Sequence, residues 1–260
     1  VVRWSGGQVV RWSGGQRSFM KVSLFVTCLV DQFFPQIGIS TMKILRKLGV
    51  EVEFDSRQTC CGQPAFNTGY VEEARQVARH FLEVYGESDH IVVPSGSCST
   101  MIKDSFPKLF AEESSQRSLA EEIGRRTFEL SEFLSSVLGV ESTGARFPEA
   151  VTYHDSCHLL RELGISSQPR QLIRAVEEID FREMEHCDRC CGFGGAFSVK
   201  FSDISAAMGE EKVRWIQSSG ARYVIASDVG CLMHLRGLLE RNRVPVQTMH
   251  LAELLAKFDD

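Results

Sequence analysis

No stretch of this chain is long and apolar enough to cross a bilayer. The longest apolar run, Val22 to Val30, falls well short of the ~20 residues that a spanning helix needs. A basic block is also missing: 29 Lys and Arg stand against 34 Asp and Glu, for a net charge of −5, which argues against nucleic acid as the main partner. There is no Cys-x-x-Cys-x-x-Cys run of the ferredoxin kind, no Ser-His-Asp pattern and no phosphate loop. The Gly-Phe-Gly-Gly segment at 192–195 lacks the preceding strand and the later acidic residue of a dinucleotide site. An apolar secretory core is absent near the start, so the expectation is a reducing cytoplasm, where thiols serve metals or catalysis rather than structural disulfides.

With 43% apolar and 24% charged residues, the composition is that of an ordinary globular protein. A folded chain of 260 residues buries roughly 70–75% of its unfolded surface, so it needs no metal or disulfide merely to stand. Residues 1–16 are the octapeptide VVRWSGGQ written twice, which carries Trp4 and Trp12. A Ser/Gly-rich tandem cannot build a core, and we set residues 1–19 aside as a tag-like extension.

What the chain does have is nine cysteines, eight of them on a duplicated grid. Cys28 is followed by Cys60-Cys61-Gly62 and Cys98; Cys157 is followed by Cys190-Cys191-Gly192 and Cys231. The intervening gaps are 31 and 36 residues in the first half, and 32 and 39 in the second. The pattern around them repeats too. Apolar, β-branched runs lead into Cys28 and Cys157, and HIVVPSGSC and YVIASDVGC lead into Cys98 and Cys231. Strand candidates at 50–54 and 179–184 precede the Cys-Cys-Gly turns, and helical stripes at 71–82 and 204–217 follow them. TFELSEFL at 127–134 mirrors TMHLAELL at 248–255, each a short strand running into a helix, the first capped by Ser131. Residues 111–126 read as a surface helix without a counterpart, and 141–150 as the seam.

Strands alternating with helices define an α/β chain of two similar tandem domains, 20–143 and 150–260, each a small mostly parallel sheet flanked by helices. Sites in such sheets form beyond the carboxyl ends of the strands, which is where the cysteines fall. Two such edges predict two four-thiol sites. Neighbouring cysteines point apart and chelate a single tetrahedral zinc awkwardly, whereas an iron–sulfur centre offers several anchoring irons and takes four thiolates. The residues favour iron–sulfur and leave zinc open, including as a substitute in aerobically purified protein.

The Cys, Cys-Cys-Gly, Cys pattern resembles the CCG cysteine-rich domain, which occurs twice in a component of heterodisulfide reductase and in the iron–sulfur components of glycolate oxidase and anaerobic glycerol-3-phosphate dehydrogenase. The details VPSGSCSTM (93–101), YHDSCHLLRELG (153–164), CCGFGGAFSVK (190–200) and GCLMHLRG (230–237) are similar to the lactate utilization protein A family. The resemblance implies one or two clusters, [4Fe-4S] in type, held by Cys28, Cys60, Cys61, Cys98, Cys157, Cys190, Cys191 and Cys231. It also implies a ferredoxin-like iron–sulfur partner and a third subunit in the oxidation of L-lactate to pyruvate. The full family pattern ends each repeat in Cys-x-x-Cys; here Ser95 and Asp228 take the first of those places. That departure speaks against a five-thiol non-cubane cluster, and makes Asp228 and the unmatched Cys187 extra ligand candidates.

His154 and His158 bracket Cys157 and are the nominees for proton transfer or tuning beside a centre, against ordinary hydrogen-bonding histidines. Cys187 and Cys190 form a lone Cys-x-x-Cys without a thioredoxin context. Arg161, Lys200 and Arg214 are cations without a clamp-like pattern. Three functions remain: an iron–sulfur electron-transfer subunit, a thiol/disulfide reductase-type protein, and a zinc-stapled binding module.

Overall fold

The protein is described by a computed structural model covering residues 20–258. The octapeptide repeat, with Trp4 and Trp12, lies outside the described residues. Each half forms one four-stranded, all-parallel sheet. In the first, β1 (Lys21–Leu24), β2 (Glu51–Glu53), β3 (Ile91–Val93) and β4 (Thr127–Glu129) lie in the order β2-β1-β3-β4. In the second, β5 (Ala150–Tyr153), β6 (Asp180–Phe181), β7 (Tyr223–Ala226) and β8 (Gln247–His250) lie in the order β6-β5-β7-β8. The two orders are the same, so the duplication extends to topology. Of the strand expected over 179–184, only Asp180–Phe181 pairs, two residues against β5.

Helices form where apolar residues recur at helical spacing. In Val71–Tyr85, Ala74, Ala78, Phe81, Leu82 and Tyr85 are buried, while Glu72 and Glu73 sit in the first turn, where the helix dipole favours acid. Pro35 opens the helix Pro35–Lys47, and Ile37, Thr41, Ile44 and Leu45 form its buried stripe. Ser114–Arg126, expected as a surface helix, buries only Ala120, Ile123 and Gly124.

The halves share one core. Val22, Ile44, Leu45, Val92 and Phe133 belong to the same apolar cluster as Val151, Tyr153, Leu172, Ile225 and Leu251. Pro35–Lys47 of the first half packs on Leu251–Leu255 of the second, and the helical segment after β4 packs on Ser167–Arg174. Each half thus seats a helix on the other, around an approximate two-fold relation.

The closing helices are capped differently from expectation. Ser131 is not the cap: the carboxylate of Glu129, two residues earlier, accepts from the Ser131 N–H at 2.7 Å and forms a capping box with Glu132. At the matching place in the second half, His250 Nδ1 accepts from the Ala252 N–H at 3.1 Å, boxed with Glu253. A buried side chain aimed at the free N–H groups caps better than one already inside the helix.

Candidate metal centre

The cysteines sit where strands hand over to helices. Cys28 is the first residue of the helix Cys28–Phe33, and Cys157 immediately precedes the π-helical turn His158–Glu162. Cys98 and Cys231 lie in the first turns of Gly96–Thr100 and Val229–Arg241. Unpaired N–H groups at such starts favour thiolate over thiol. The vicinal pairs arrive on loops and are turned by Gly62 and Gly192, with φ of 82° and 90°, a region that only glycine enters freely. In both turns the glycine N–H donates to the first sulfur of the pair, at 3.4 Å to Cys60 Sγ and 3.3 Å to Cys190 Sγ.

Different chemistry clips these loops in place. In the first half, the Gln58 amide donates to the Val26 carbonyl at 3.0 Å and accepts from the Val26 N–H at 3.1 Å and the Tyr85 hydroxyl at 2.9 Å. In the second, Asp155 N–H donates to the Cys187 carbonyl at 3.2 Å. Arg170 forks onto both carboxylate oxygens of Asp155 at 2.9 and 2.6 Å, and reaches Glu183 at 2.8 and 2.9 Å. Sequence reading missed Gln58 and Arg170, because neither carries a pattern of its own.

Within each half the sulfurs form a string in the same order. Cys28 Sγ lies 3.5 Å from Cys60 Sγ, Cys60 touches Cys61, and Cys61 Sγ lies 3.3 Å from Cys98 Sγ. Cys157, Cys190, Cys191 and Cys231 repeat the sequence of contacts. The spacing predicts two thiol-rich edges; in the fold all eight cysteines line one cavity of ≈ 230 Å³. Leu29, Pro64, Phe193 and Val229 supply apolar walls.

Crowding splits the thiol acidities. Cys60 is pushed down by hydrogen bonds from Cys28 and Cys61, and Cys190 by those from Cys157 and Cys191. Cys28, Cys61, Cys157 and Cys191 are pushed up by giving their hydrogens to a neighbouring sulfur, and further by burial. A set of four thiolates therefore needs added positive charge, and no Lys or Arg is among the cavity-lining residues. A bound metal centre would supply it, since bound cations invert this local logic. Among the described residues, only His154, Cys191 and Cys231 have donor atoms all within 4.8 Å of one another. The four sulfurs of a set thus run as a string rather than closing around one point.

Ser95 and Asp228 meet across the two halves. Ser95 Oγ donates to Asp228 Oδ1 at 2.9 Å; Ser97 adds its hydroxyl at 2.6 Å and its N–H at 3.2 Å. Ser95 Oγ also accepts from the Cys98 N–H at 3.3 Å. The Asp228 carboxylate, a candidate extra ligand, is thus already engaged by three donors. Gly96 allows the approach: a Cβ there would lie 2.7 Å from Leu159 Cβ of the other half.

The other nominees divide. His158 lines the cavity, with Nδ1 3.8 Å from Cys157 Sγ. His154 is wholly buried behind Cys191 and Cys231, and burial, with the Lys212 charge nearby, holds its imidazole down at about 3. Cys187 lies outside the cavity lining, its sulfur accepting from Arg170 Nη2 at 3.4 Å. Lys212, which the sequence did not single out, is fully buried with Nζ on the carbonyls of His186 at 2.6 Å and Cys187 at 3.2 Å. Its only signal was a cation interrupting the stripe at 204–217.

Two parallel sheets, each presenting a Cys, Cys-Cys-Gly, Cys set to a common cavity, define a tandem cysteine-rich protein. The sequence matches the CCG cysteine-rich domain twice, over residues 22–103 and 151–236. Lactate utilization protein A 2 of Bacillus cereus (strain 03BB102) is 44% identical over 238 residues, 92% of this chain and 98% of that protein. Lactate utilization protein A 1 of Bacillus mycoides (strain KBAB4) is 44% identical over 237 residues, 91% of this chain and 96% of that protein. The chain belongs to the lactate utilization protein A family, built from two CCG cysteine-rich domains. Among solved structures, a hypothetical protein from Helicobacter pylori shares the fold, at TM-score 0.59 and 10% identity over 92% of this chain and 49% of that one.

Proposed function

We propose that this chain is an iron–sulfur electron-transfer subunit of a cytoplasmic system that oxidises L-lactate to pyruvate. Its two cysteine-rich domains, 20–143 and 150–260, each contribute one four-cysteine string to the same cavity. The observation that carries the reading is the string itself. A tetrahedral zinc with bonds of about 2.3 Å needs four sulfurs gathered around one point. A polynuclear [4Fe-4S] centre presents several irons, so its four thiolates do not have to meet around a single ion. The names of the relatives supply the lactate connection.

An iron–sulfur centre, when bound, accepts and releases single electrons. The chain's residues do the rest. Cys28, Cys60, Cys61 and Cys98 would hold one centre, and Cys157, Cys190, Cys191 and Cys231 the other. Gly62 and Gly192 aim backbone N–H groups at sulfur, which stabilises thiolate charge. Leu29, Pro64, Phe193 and Val229 place apolar surface beside the sulfurs. Oxidising lactate releases two electrons and two protons, and its carboxylate finds no Lys or Arg among the cavity-lining residues. That supports substrate chemistry on another subunit, with a ferredoxin-like partner and a third protein completing the system.

Anaerobic purification, with iron and labile-sulfide analysis and EPR, tests the reading. About one or two clusters per chain are expected, with lactate-dependent reduction only after partner subunits are added. Colourless protein holding stoichiometric zinc would overturn the cluster assignment. Cys191→Ala should remove the second-half centre; unchanged iron content would refute that ligand set.

A further inference from the structure

The two strings are near copies in their sulfurs but not in what stands behind them. Three residues before Cys28 lies Phe25, packed edge-on against Phe81 at 5.1 Å and Tyr85 at 5.8 Å. Three residues before Cys157 lies His154 instead. Gly62 packs on Ala74 and Val77, and Gly192 on Ser205 and Met208, a register that sets Lys212 where the first half has Phe81. An aromatic cluster behind one cysteine set is thus replaced by an imidazole and an ammonium behind the other.

His154 has no solvent exposure, and among the described residues neither ring nitrogen makes a hydrogen bond of ordinary geometry, the Cys187 backbone being the polar group close by. Buried polar atoms are paired almost without exception, and leaving two on one ring idle is costly. Lys212 does not relieve it, because its Nζ is committed to the carbonyls of His186 and Cys187. The atoms that His154 does approach are Cys191 Sγ and Cys231 Sγ, all three donors lying within 4.8 Å of one another.

We propose that His154 is a metal ligand, its ring nitrogen placed beside Cys191 and Cys231 to bind the metal of the second-half centre, so that this centre has a nitrogen donor which the first lacks. Imidazole beside thiolate is a donor set that iron, zinc and cobalt accept. A neutral nitrogen adds a donor without the negative charge that a further thiolate would bring. The proposal rests on the cysteine sets holding metal.

The test uses the whole chain labelled with ¹⁵N-histidine, reconstituted anaerobically, reduced and examined by pulsed EPR, with iron and sulfide counted on the same samples. A strong nitrogen coupling, lost in His154→Phe and kept in His158→Ala, is expected. His154→Phe copies the residue of the first half; should it fail to fold, the coupling in labelled unmutated protein and in His158→Ala carries the decision. Iron bound without nitrogen coupling overturns the ligand and leaves the cluster reading standing. Absence of iron overturns the cluster reading, and cobalt(II) titration of the reduced chain then decides: His154→Phe should weaken binding by at least about tenfold, and unchanged binding overturns the ligand.

Discussion

Ser95 donates its hydroxyl to Asp228 at 2.9 Å, joining the two halves through the positions where the family pattern has a cysteine in each repeat. Both residues are nearly fully buried, so neither can replace the other with water, although Ser97 also donates to Asp228. Ser95→Ala and Asp228→Asn should each destabilise the chain by about 1–3 kcal/mol. Their double variant should lose less than the sum, with a coupling of at least about 0.5 kcal/mol in urea unfolding. Additive losses would mean that the pair does not couple the halves.

The two Cys-Cys-Gly turns are not equally tolerant. A Cβ at Gly192 would lie 2.4 Å from the Ser205 carbonyl oxygen, a backbone atom that cannot swing aside. At Gly62 the nearest contact is the Val77 side chain at 3.3 Å. Both glycines have positive φ and share that part of the penalty, roughly 1–2 kcal/mol. Gly192→Ala should therefore lower the thermal midpoint clearly more than Gly62→Ala, and equal losses would count against this packing.

Arg170 holds the second-half loop together through buried charge. Its side chain is 12% exposed and that of Asp155 is 3% exposed, so removing the guanidinium strands a carboxylate. Arg170→Met should cost about 3–5 kcal/mol. Arg170→Lys should recover only part of this, because an ammonium cannot fork onto Asp155 and Glu183 together. Urea unfolding of the two variants gives the order.

Glu129 sets a pH dependence. Burial lifts its carboxyl to about 7, well above the ordinary carboxylate range. Between about 4.5 and 7 the folded chain holds a proton that the unfolded chain has released, so this group lowers stability as pH rises through that window. Glu129→Gln removes the titration, so its stability relative to the unmodified chain should increase from pH 5 to pH 8, by up to roughly 3 kcal/mol. His154 and His250, both held down by burial, act the opposite way: the unfolded chain binds their protons first, and stability is lost as pH falls below about 6.5. Comparing variant with parent at each pH cancels them. Melting curves with a pH-independent difference would place the Glu129 titration elsewhere.

Much of the fold was legible because duplication writes every signal twice. The apolar runs before Cys98 and Cys231 became β3 and β7, and the stripe at 71–82 became Val71–Tyr85. Legibility failed where tertiary contacts decide. Glu129 rather than Ser131 caps its helix because burial aims that carboxylate at free N–H groups, which no local pattern records. The strand at 179–184 shrank to two residues because its later positions enter the loop that carries Cys187. Nor could spacing show that both cysteine sets open on one cavity: that depends on how the sheets face each other, which the seam at 141–150 does not encode. His154 was marked by its place beside Cys157, whereas Lys212 was readable only by comparison with Phe81 of the other repeat.

The exchange of helices between the halves has a consequence during synthesis. Ile37, Ile44 and Leu45 leave the ribosome early, yet they belong to the same core cluster as Leu251, Leu254 and Leu255, which are made much later. Until then the first half carries an open apolar face and an incomplete cavity, the kind of species that chaperones shield. Closure of that cavity must therefore follow translation of the second half rather than accompany that of the first.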